Sequence, residues 1–477
     1  MSALFHLRDG AALAPLPNAE ALALAAALAA GPPEGLLDAV PGAASLLVLF
    51  DPARLPHERV AAELERARGS VRAGPSRTVR LPMLYGGPDL EWLSREIGHP
   101  IDRIISMHSR AIHSVSFLGF APGFAYIGGS PFQVPRLPTP RVRVPAGSVG
   151  LADRYTGIYP GDTPGGWRLI GRVAARLFDP AGNPPALLQP GDRVIFEPAD
   201  HIGETPLPPA AAPRPALLRI VKPGAFTSVQ GGPRHGLASW GVVSGGAMDL
   251  PALAAANALV GNAAGAPGLE FTIAGPEIEA LAPAVVATTE RRALAPGERL
   301  ALGAVRSGAR AYLAVVGGLA RPPIGEPTRP LRAGDGVARG EPGDGRARDV
   351  PAGRPPGQRE AVRAIPRTEH FSPAAVEAFF SATFRVSPES DRRGLRLSGP
   401  AIAPLRADVP PEGTLFGAVQ VPGDGQPIVL GPDRPVTGGY PQIATVITRD
   451  LPLLAQARPG ATIRFRAATL AEALAER

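Results

Sequence analysis

Apolar residues in this chain come in short runs that glycine and proline cut off. SLLVLF at 45–50, TVRLPMLY at 78–85, VIFEP at 194–198, LLRIV at 217–221, RAYLAVV at 310–316 and TFRVS at 383–387 each read as a strand of a few residues. Helical spacing is rarer. It predicts helices over 19–30, capped by Asn18, and over PHERVAAELERAR until Gly69 stops it. Two more follow in EWLSREIG and IDRIISMHSR, and Asp249 and Asp450 each open an alanine- and leucine-rich helix through Asp-Leu-Pro. Ser372 and Pro373 read as N-cap and N1 of another. Short strands separated every 8 to 12 residues by Gly/Pro turns predict a mainly β chain with α+β elements, built of barrels or sandwiches that carry one or two helices each.

A chain of 477 residues exceeds a single core. We expect a small α/β unit at 1–76, a barrel at 77–204, a Pro-rich linker at 205–216, a third unit, again a barrel, at 217–335, a Gly/Pro/Arg-rich loop at 336–358 and a last barrel at 359–477. The second and last units echo each other. GSV, YPGDTPGGW and LLQPGDRVIF in one stand in the same order as GAV, LGPDRPVTGGY and LAQARPGATIRF in the other. Repeats of that length predict duplicated domains rather than a solenoid.

Composition narrows the chemistry. The net charge is +7, but of the 49 basic residues only Lys222 is lysine, and the arginines are dispersed among 42 acids, so nucleic-acid binding is not expected. The chain contains no cysteine, which removes disulfides, thiolate metal sites and cysteine nucleophiles. The eight histidines show no HxxxH or HExxH spacing, and no metal site is expected. No segment reads as a signal peptide or membrane span, so the expected location is cytoplasmic. A P-loop is excluded by the single lysine, and no G-x-S-x-G elbow is present.

The stretch from Tyr85 to Phe196, with YGGPDL, His108, FLGFAPGFAYIGG, VPAGSV, IYPGDTPGGW and PGDRVIF, resembles the family of allophanate hydrolase subunit 1, or the B component of 5-oxoprolinase. From Pro223 to Phe465, TSVQ, SGGAMD, AANALVGN, LEFTIAGP, AYLAVVGGLA, SDRRGLRLSG, GAVQVPGDGQPIVL and TGGYPQIATVI resemble the partner family, allophanate hydrolase subunit 2, or the C component of 5-oxoprolinase. The resemblance implies cyclophilin-like barrels in the order of a B-to-C fusion, related to the carboxyltransferase region of urea amidolyase. It implies ATP, with magnesium, as cofactor and the separate A component of 5-oxoprolinase as partner, the assembly opening 5-oxoproline to glutamate. Two other activities occur among such proteins: carboxyl transfer to urea, with biotin carboxylase and a biotin carrier as partners, and non-catalytic regulation of a sporulation kinase. A homo-oligomer is compatible with all three. The chain departs from the family pattern at Gly231, where an acid is usual after VQ, at RPPIGEPTRPLRAGD after GGLA, and at Val436, where a hydroxyl is usual.

Candidate site residues follow from these phrases. His108 is a core histidine of its helix or an imidazole offered to substrate; Asp162, Asp249 and Asp433 are turn or capping residues or catalytic carboxylates. Gly119, Gly123 and Tyr126 in the first loop, and Gly165, Gly166 and Trp167 in the next, are barrel corners or a backbone cradle beside aromatics. Gln420, Gly438, Gly439 and Tyr440 form the matching set in the last unit. Gln230, Arg234 and Arg392 complete the substrate-binding candidates.

Overall fold

The computed structural model of the chain describes residues 4–69, 77–204, 214–340 and 361–475. Most of the two expected linkers falls outside these residues. Strands β1 (Phe5–Arg8), β2 (Ala11–Pro15), β3 (Leu36–Pro41) and β4 (Ser45–Phe50) form an antiparallel sheet in the order β1-β2-β4-β3. Alternation along β4 sends Leu46, Val48 and Phe50 against helices α1 (Asn18–Ala30) and α2 (His57–Gly69), and Leu47 and Leu49 to the opposite face. That face is not solvated, because it packs on Leu415, Ala418 and Leu430 of the last unit.

The second unit closes into a seven-stranded barrel. Its strands are β5 (Thr78–Tyr85), β6 (His113–Leu118), β7 (Ala125–Gly128), β9 (Ser148–Ala152), β10 (Tyr155–Ile158), β12 (Arg168–Val173) and β13 (Arg193–Pro198), ordered β10-β7-β6-β13-β5-β12-β9. Helices α3 (Leu90–Ile97) and α4 (Ile101–Arg110) cover it, and β8 (Arg141–Val144) with β11 (Thr163–Gly165) forms a separate two-stranded antiparallel sheet.

In the third unit, β14 (Ala216–Lys222), β15 (Phe226–Gln230), β16 (Gly268–Thr272), β17 (Glu277–Ala280), β18 (Ala284–Ala287), β19 (Arg291–Leu294), β20 (Arg299–Ala301), β21 (Arg310–Val315) and β22 (Gly336–Ala338) make two sheets, β20-β17-β14-β22 and β15-β16-β21-β18-β19. They share one apolar core around Leu218, Ile220, Leu269 and Phe271 but do not close, so the barrel expected over 217–335 is an open pair of sheets. Residues 321–335, rich in prolines that cannot donate to a ladder, run there without strand structure. Gly336–Ala338, read as the start of a loop, instead pairs with β14. Helix α5 (Leu250–Leu259) starts at Asp249, whose side chain accepts from Ala252 N at 3.0 Å.

The last unit is a second closed barrel: β23 (Val362–Pro366), β24 (Thr383–Val386), β25 (Gly394–Ser398), β27 (Ala418–Gln420), β28 (Ile428–Leu430), β30 (Gln442–Val446) and β31 (Thr462–Ala467), with β26 (Glu412–Gly413) and β29 (Thr437–Gly438) paired beside it. Its cyclic order, β23-β30-β27-β28-β25-β24-β31, has seven strands like that of the first barrel. Each has one parallel pair joining its first and last strands, β5 with β13 and β23 with β31. The sequence echo is therefore a duplicated architecture. Helix α6 (Pro373–Ser381) is capped by Ser372 as expected. Asp450 is not a side-chain cap; it lies fully buried and accepts from the Arg363 backbone and guanidinium at 2.7–3.0 Å. Asn18 likewise does not cap α1, and its amide donates to Gly42 O at 2.8 Å and Ser116 O at 3.2 Å, tying the N-terminal unit to the first barrel.

Candidate functional site at the seam between the barrels

The loop from Leu118 to Ala125 joins β6 to β7 and leaves the first barrel toward the last one. Phe120 holds the left-handed region at φ 63, an uncommon conformation for a residue with a side chain. Gly119 donates to Phe124 O at 3.0 Å, and its Cα sits so close to the Thr437 side chain of β29 that a Cβ there would overlap Thr437 Oγ1. Gly123 donates to Trp240 O at 3.0 Å, which brings in the third unit. Ala43 of the N-terminal unit packs near the loop's aromatics and donates to Pro411 O at 2.7 Å, next to Glu412. All four units thus converge around this loop.

Across the seam lie polar side chains whose hydrogen-bonding capacity is only partly used. Gln420 is 4% exposed, and its Nε2 lies against Gly438 and has no partner among the described residues. Thr437 is 2% exposed; the Tyr126 hydroxyl faces its Oγ1, which forms no hydrogen bond of full geometry. Beside them Gln442 donates to Glu412 Oε1 at 2.7 Å, leaving its own Oε1 unpaired, and Arg367 donates to the same carboxylate at 2.7 Å. An unpaired buried polar group costs about 1–3 kcal/mol, and most such groups in folded proteins are satisfied. Four such atoms, Gln420 Nε2, Thr437 Oγ1, Gln442 Oε1 and Arg367 Nε, lie in this one seam without a partner among the described residues.

The aromatic residues of the first barrel stand behind this site. Trp167 packs at 5.5 Å from Tyr126 and 5.3 Å from Phe124, between ring centroids. Burial pushes the Tyr126 phenol above its ordinary pKa, so the hydroxyl stays protonated and available as a donor. A carboxamide donates and accepts at once, as do the hydroxyls. This neutral set matches the C=O and N–H of an amide, lactam or ureido group.

Gly119, Tyr126, Gln420 and Gly438 meet here, with Gly123 at the edge and Gly439 and the 41%-exposed Tyr440 at the outer rim. The other candidates lie apart. His108 is fully buried inside the first barrel, with Nδ1 bonded to the Tyr85 hydroxyl at 2.8 Å and Nε2 to Thr156 Oγ1 at 3.1 Å. Burial, with the nearby His113, holds its pKa well below the usual histidine value, so it is a neutral core residue without access to substrate. Asp162 is exposed just before β11, paired with Arg143 of β8 at 2.5 Å and bonded by Ala146 N at 2.9 Å. Gly165 gives room to the Tyr159 hydroxyl, and Gly166 O accepts from Leu137 N at 2.7 Å; both serve the barrel corner.

Asp249 caps α5 and accepts from Gln456 at 2.7 Å. Asp433 is held by Arg392 at 2.8 and 2.9 Å, and Arg392 also reaches Glu270 and Gly246 O, joining the third and last units. Gln230 bonds Ser228 and Thr328, and Arg234 bonds Pro322 O; none of these groups lies in the seam. Two departures from the family pattern prove to be neighbours, because a Cβ on Gly231 would meet the Arg321 guanidinium that binds Gly232 O and Gly265 O. Val436, the third, packs in the apolar contact with the N-terminal sheet, while the hydroxyl at the seam belongs to Thr437. Thr437, Gln442, Glu412 and Arg367 were not among the sequence candidates; the TGGYPQ phrase carried the signal for two of them.

Residues 3–188 match the family model described as carboxyltransferase domain, subdomains C and D, and residues 240–467 match subdomains A and B. The later half is similar to the C component of 5-oxoprolinase from Escherichia coli K12, 38% identical over 298 residues, 55% of this chain and 94% of the relative. The earlier half is similar to the B component of 5-oxoprolinase from Escherichia coli O157:H7, 40% identical over 173 residues, 34% of this chain and 78% of the relative. The chain belongs to the fused 5-oxoprolinase B/C family of carboxyltransferase domains. A solved structure, that of TTHA0988, superposes with a TM-score of 0.82 at 36% identity, covering 96% of this chain and 99% of the other. A putative urea carboxylase of Emericella nidulans is 28% identical over 312 residues, 55% of this chain but 25% of that protein. The seam therefore lies between the B-like and C-like halves of the fusion.

Proposed function

We propose that this chain is the joined B and C component of a 5-oxoprolinase, which binds the lactam of 5-oxoproline at the seam and presents it to a separate A component for opening to glutamate. The observation that carries this reading is the unpartnered Gln420 Nε2 beside Thr437 and Tyr126, on facing surfaces of the two halves. Gln420 and Gln442 would align the lactam N–H and carbonyl, and the Tyr126 hydroxyl would donate to the oxygen as negative charge develops on it. The apolar and aromatic surroundings exclude water from that oxygen.

The family resemblance implies ATP with magnesium. In the seam Gln420, Gln442, Thr437 and Tyr126 are neutral and the one cation, Arg367, is paired with Glu412, which does not fit a magnesium triphosphate, and the described residues contain no group of three His, Asp or Glu able to hold a metal. The nucleotide would then be held elsewhere in the assembly. Urea carboxylation is the second reading, favoured by the same amide-matching donor set and by the similarity to the urea carboxylase; with Lys222 the sole lysine, a biotin arm would come from a carrier.

The test is glutamate release from 5-oxoproline and ATP by the purified chain mixed with the A component of a 5-oxoprolinase. ATP-dependent release that neither protein gives alone is expected. Turnover of urea only in the presence of biotin carboxylase and a biotinylated carrier transfers the site to the second reading. Binding of a protein partner with neither activity would contradict both.

A further inference from the structure

A second place in the molecule, reached three residues before Thr437, buries positive charge with too few partners. Arg434 lies in the turn between β28 and β29, is 6% exposed, and neither its Nε nor its Nη1 has a hydrogen-bond partner among the described residues. Arg8, at the end of β1, packs near enough to depress it electrostatically, and Arg8 Nε is likewise buried and unpartnered among the described residues. Arg8 Nη1 donates to Phe416 O at 2.7 Å.

The neighbouring carboxylates do not complete these guanidinium groups. Asp38 of β3 accepts from Gly236 N at 2.9 Å and Ala238 N at 3.2 Å. Asp433 is taken up by Arg392, and Asp9 accepts from Thr448 N at 3.1 Å and from its hydroxyl at 2.9 Å. Burial pushes the Asp38 carboxyl up to about 6 despite those donors, and it makes no hydrogen bond to Arg434 Nε, Arg434 Nη1 or Arg8 Nε. Burial, reinforced by Arg8, pulls Arg434 down to about 9. Around them, Leu7, Leu13, Val40, Leu415 and Val436 form an apolar contact that screens little.

Removing an arginine from water without a hydrogen-bonded counter-charge is strongly unfavourable. A planar guanidinium offers parallel N–H groups that suit two oxygens of one anion. We infer that Arg8 and Arg434 form a binding site for a small oxyanion presenting two oxygens (a carboxylate, bicarbonate or phosphate) at the junction of the N-terminal sheet, the 236–238 loop and the last barrel. Such an anion would pin three units together and is independent of the lactam reading.

The experiment is thermal unfolding of the whole chain titrated with sodium formate, sodium bicarbonate or sodium phosphate against chloride at constant ionic strength, for wild type, Arg434→Met and Arg8→Met. A saturating rise in the wild-type midpoint with at least one oxyanion, absent from both variants, is expected, and the three arms tell carboxylate from carbonate and phosphate. A wild-type midpoint that none of the three raises, or the same rise in the variants, overturns it. Should either variant fail to fold, a crystal structure of wild type grown with the most stabilising anion decides: anion density bonded to both guanidinium groups supports the site, and guanidinium groups bonded by protein or water alone refute it.

Discussion

At Gln420 the chain buries a carboxamide whose Nε2 has no partner among the described residues, close to a threonine hydroxyl in the same condition. A group that costs stability and is placed where two domains meet is better explained by ligand binding than by folding. Gln420→Leu is expected to leave the unfolding midpoint unchanged or raised, since it removes an unsatisfied polar group. It should lower kcat/KM for 5-oxoproline about 100-fold, the order expected when a hydrogen bond to substrate worth about 3 kcal/mol is lost. Asp162→Ala, at an exposed position before β11, is expected to change kcat/KM less than about twofold, and steady-state assays check both. Asp38 gives a pH signature. Its folded-state pKa, raised to about 6 by burial, means the folded protein holds a proton that the unfolded chain has released between about pH 4 and 6. Stability from this group is present below about pH 4 and is lost as the pH rises to about 6, so denaturant unfolding of wild type should decline over that window relative to Asp38→Asn.

Among the elements, the loop between β6 and β7 does the most to bring the halves together. Its conspicuous glycines were legible as a barrel corner or a backbone cradle, but their partner was not, because Thr437 comes from the far half of the chain and only the fold sets it against Gly119. Gly119→Ala should destabilise the protein by about 1–3 kcal/mol through overlap with Thr437. Adding Thr437→Gly should recover part of that loss in unfolding experiments while activity stays low, a coupling that distant sites would not show. The same divide runs through the helix ends. Ser372 and Asp249 cap as the sequence indicates, since their neighbours leave them at a helix start. Asp450 and Asn18 have equally good local signals, yet a buried arginine and two carbonyls from other segments claim them. Local spacing predicts a cap well until a stronger tertiary partner competes for the side chain.

The whole molecule is two copies of one barrel with an open pair of sheets and a small α/β unit packed against them. The duplication was readable because both copies keep the same turn phrases in the same order. The failure of the third unit to close was not, because strand runs alone do not reveal which edges pair. Arg392 fastens that unit to the last barrel by binding Glu270 and Asp433 together. Arg392→Met should strand two buried carboxylates and cost about 3–5 kcal/mol in urea unfolding, whereas a surface pair such as Arg80 with Glu197 should contribute under about 1 kcal/mol. His108 and Asp162, two of the four candidates for acid–base work, end apart, one in the barrel core and the other exposed just before β11, and the amide-matching groups lie between domains instead. The most direct test of that placement is a crystal structure of the chain with 5-oxoproline. Density for the lactam between Tyr126, Thr437 and Gln420, with Gln420 Nε2 bonded to it, is the predicted result; 5-oxoproline bound elsewhere, with the seam closed and Gln420 still unpartnered, would contradict the account.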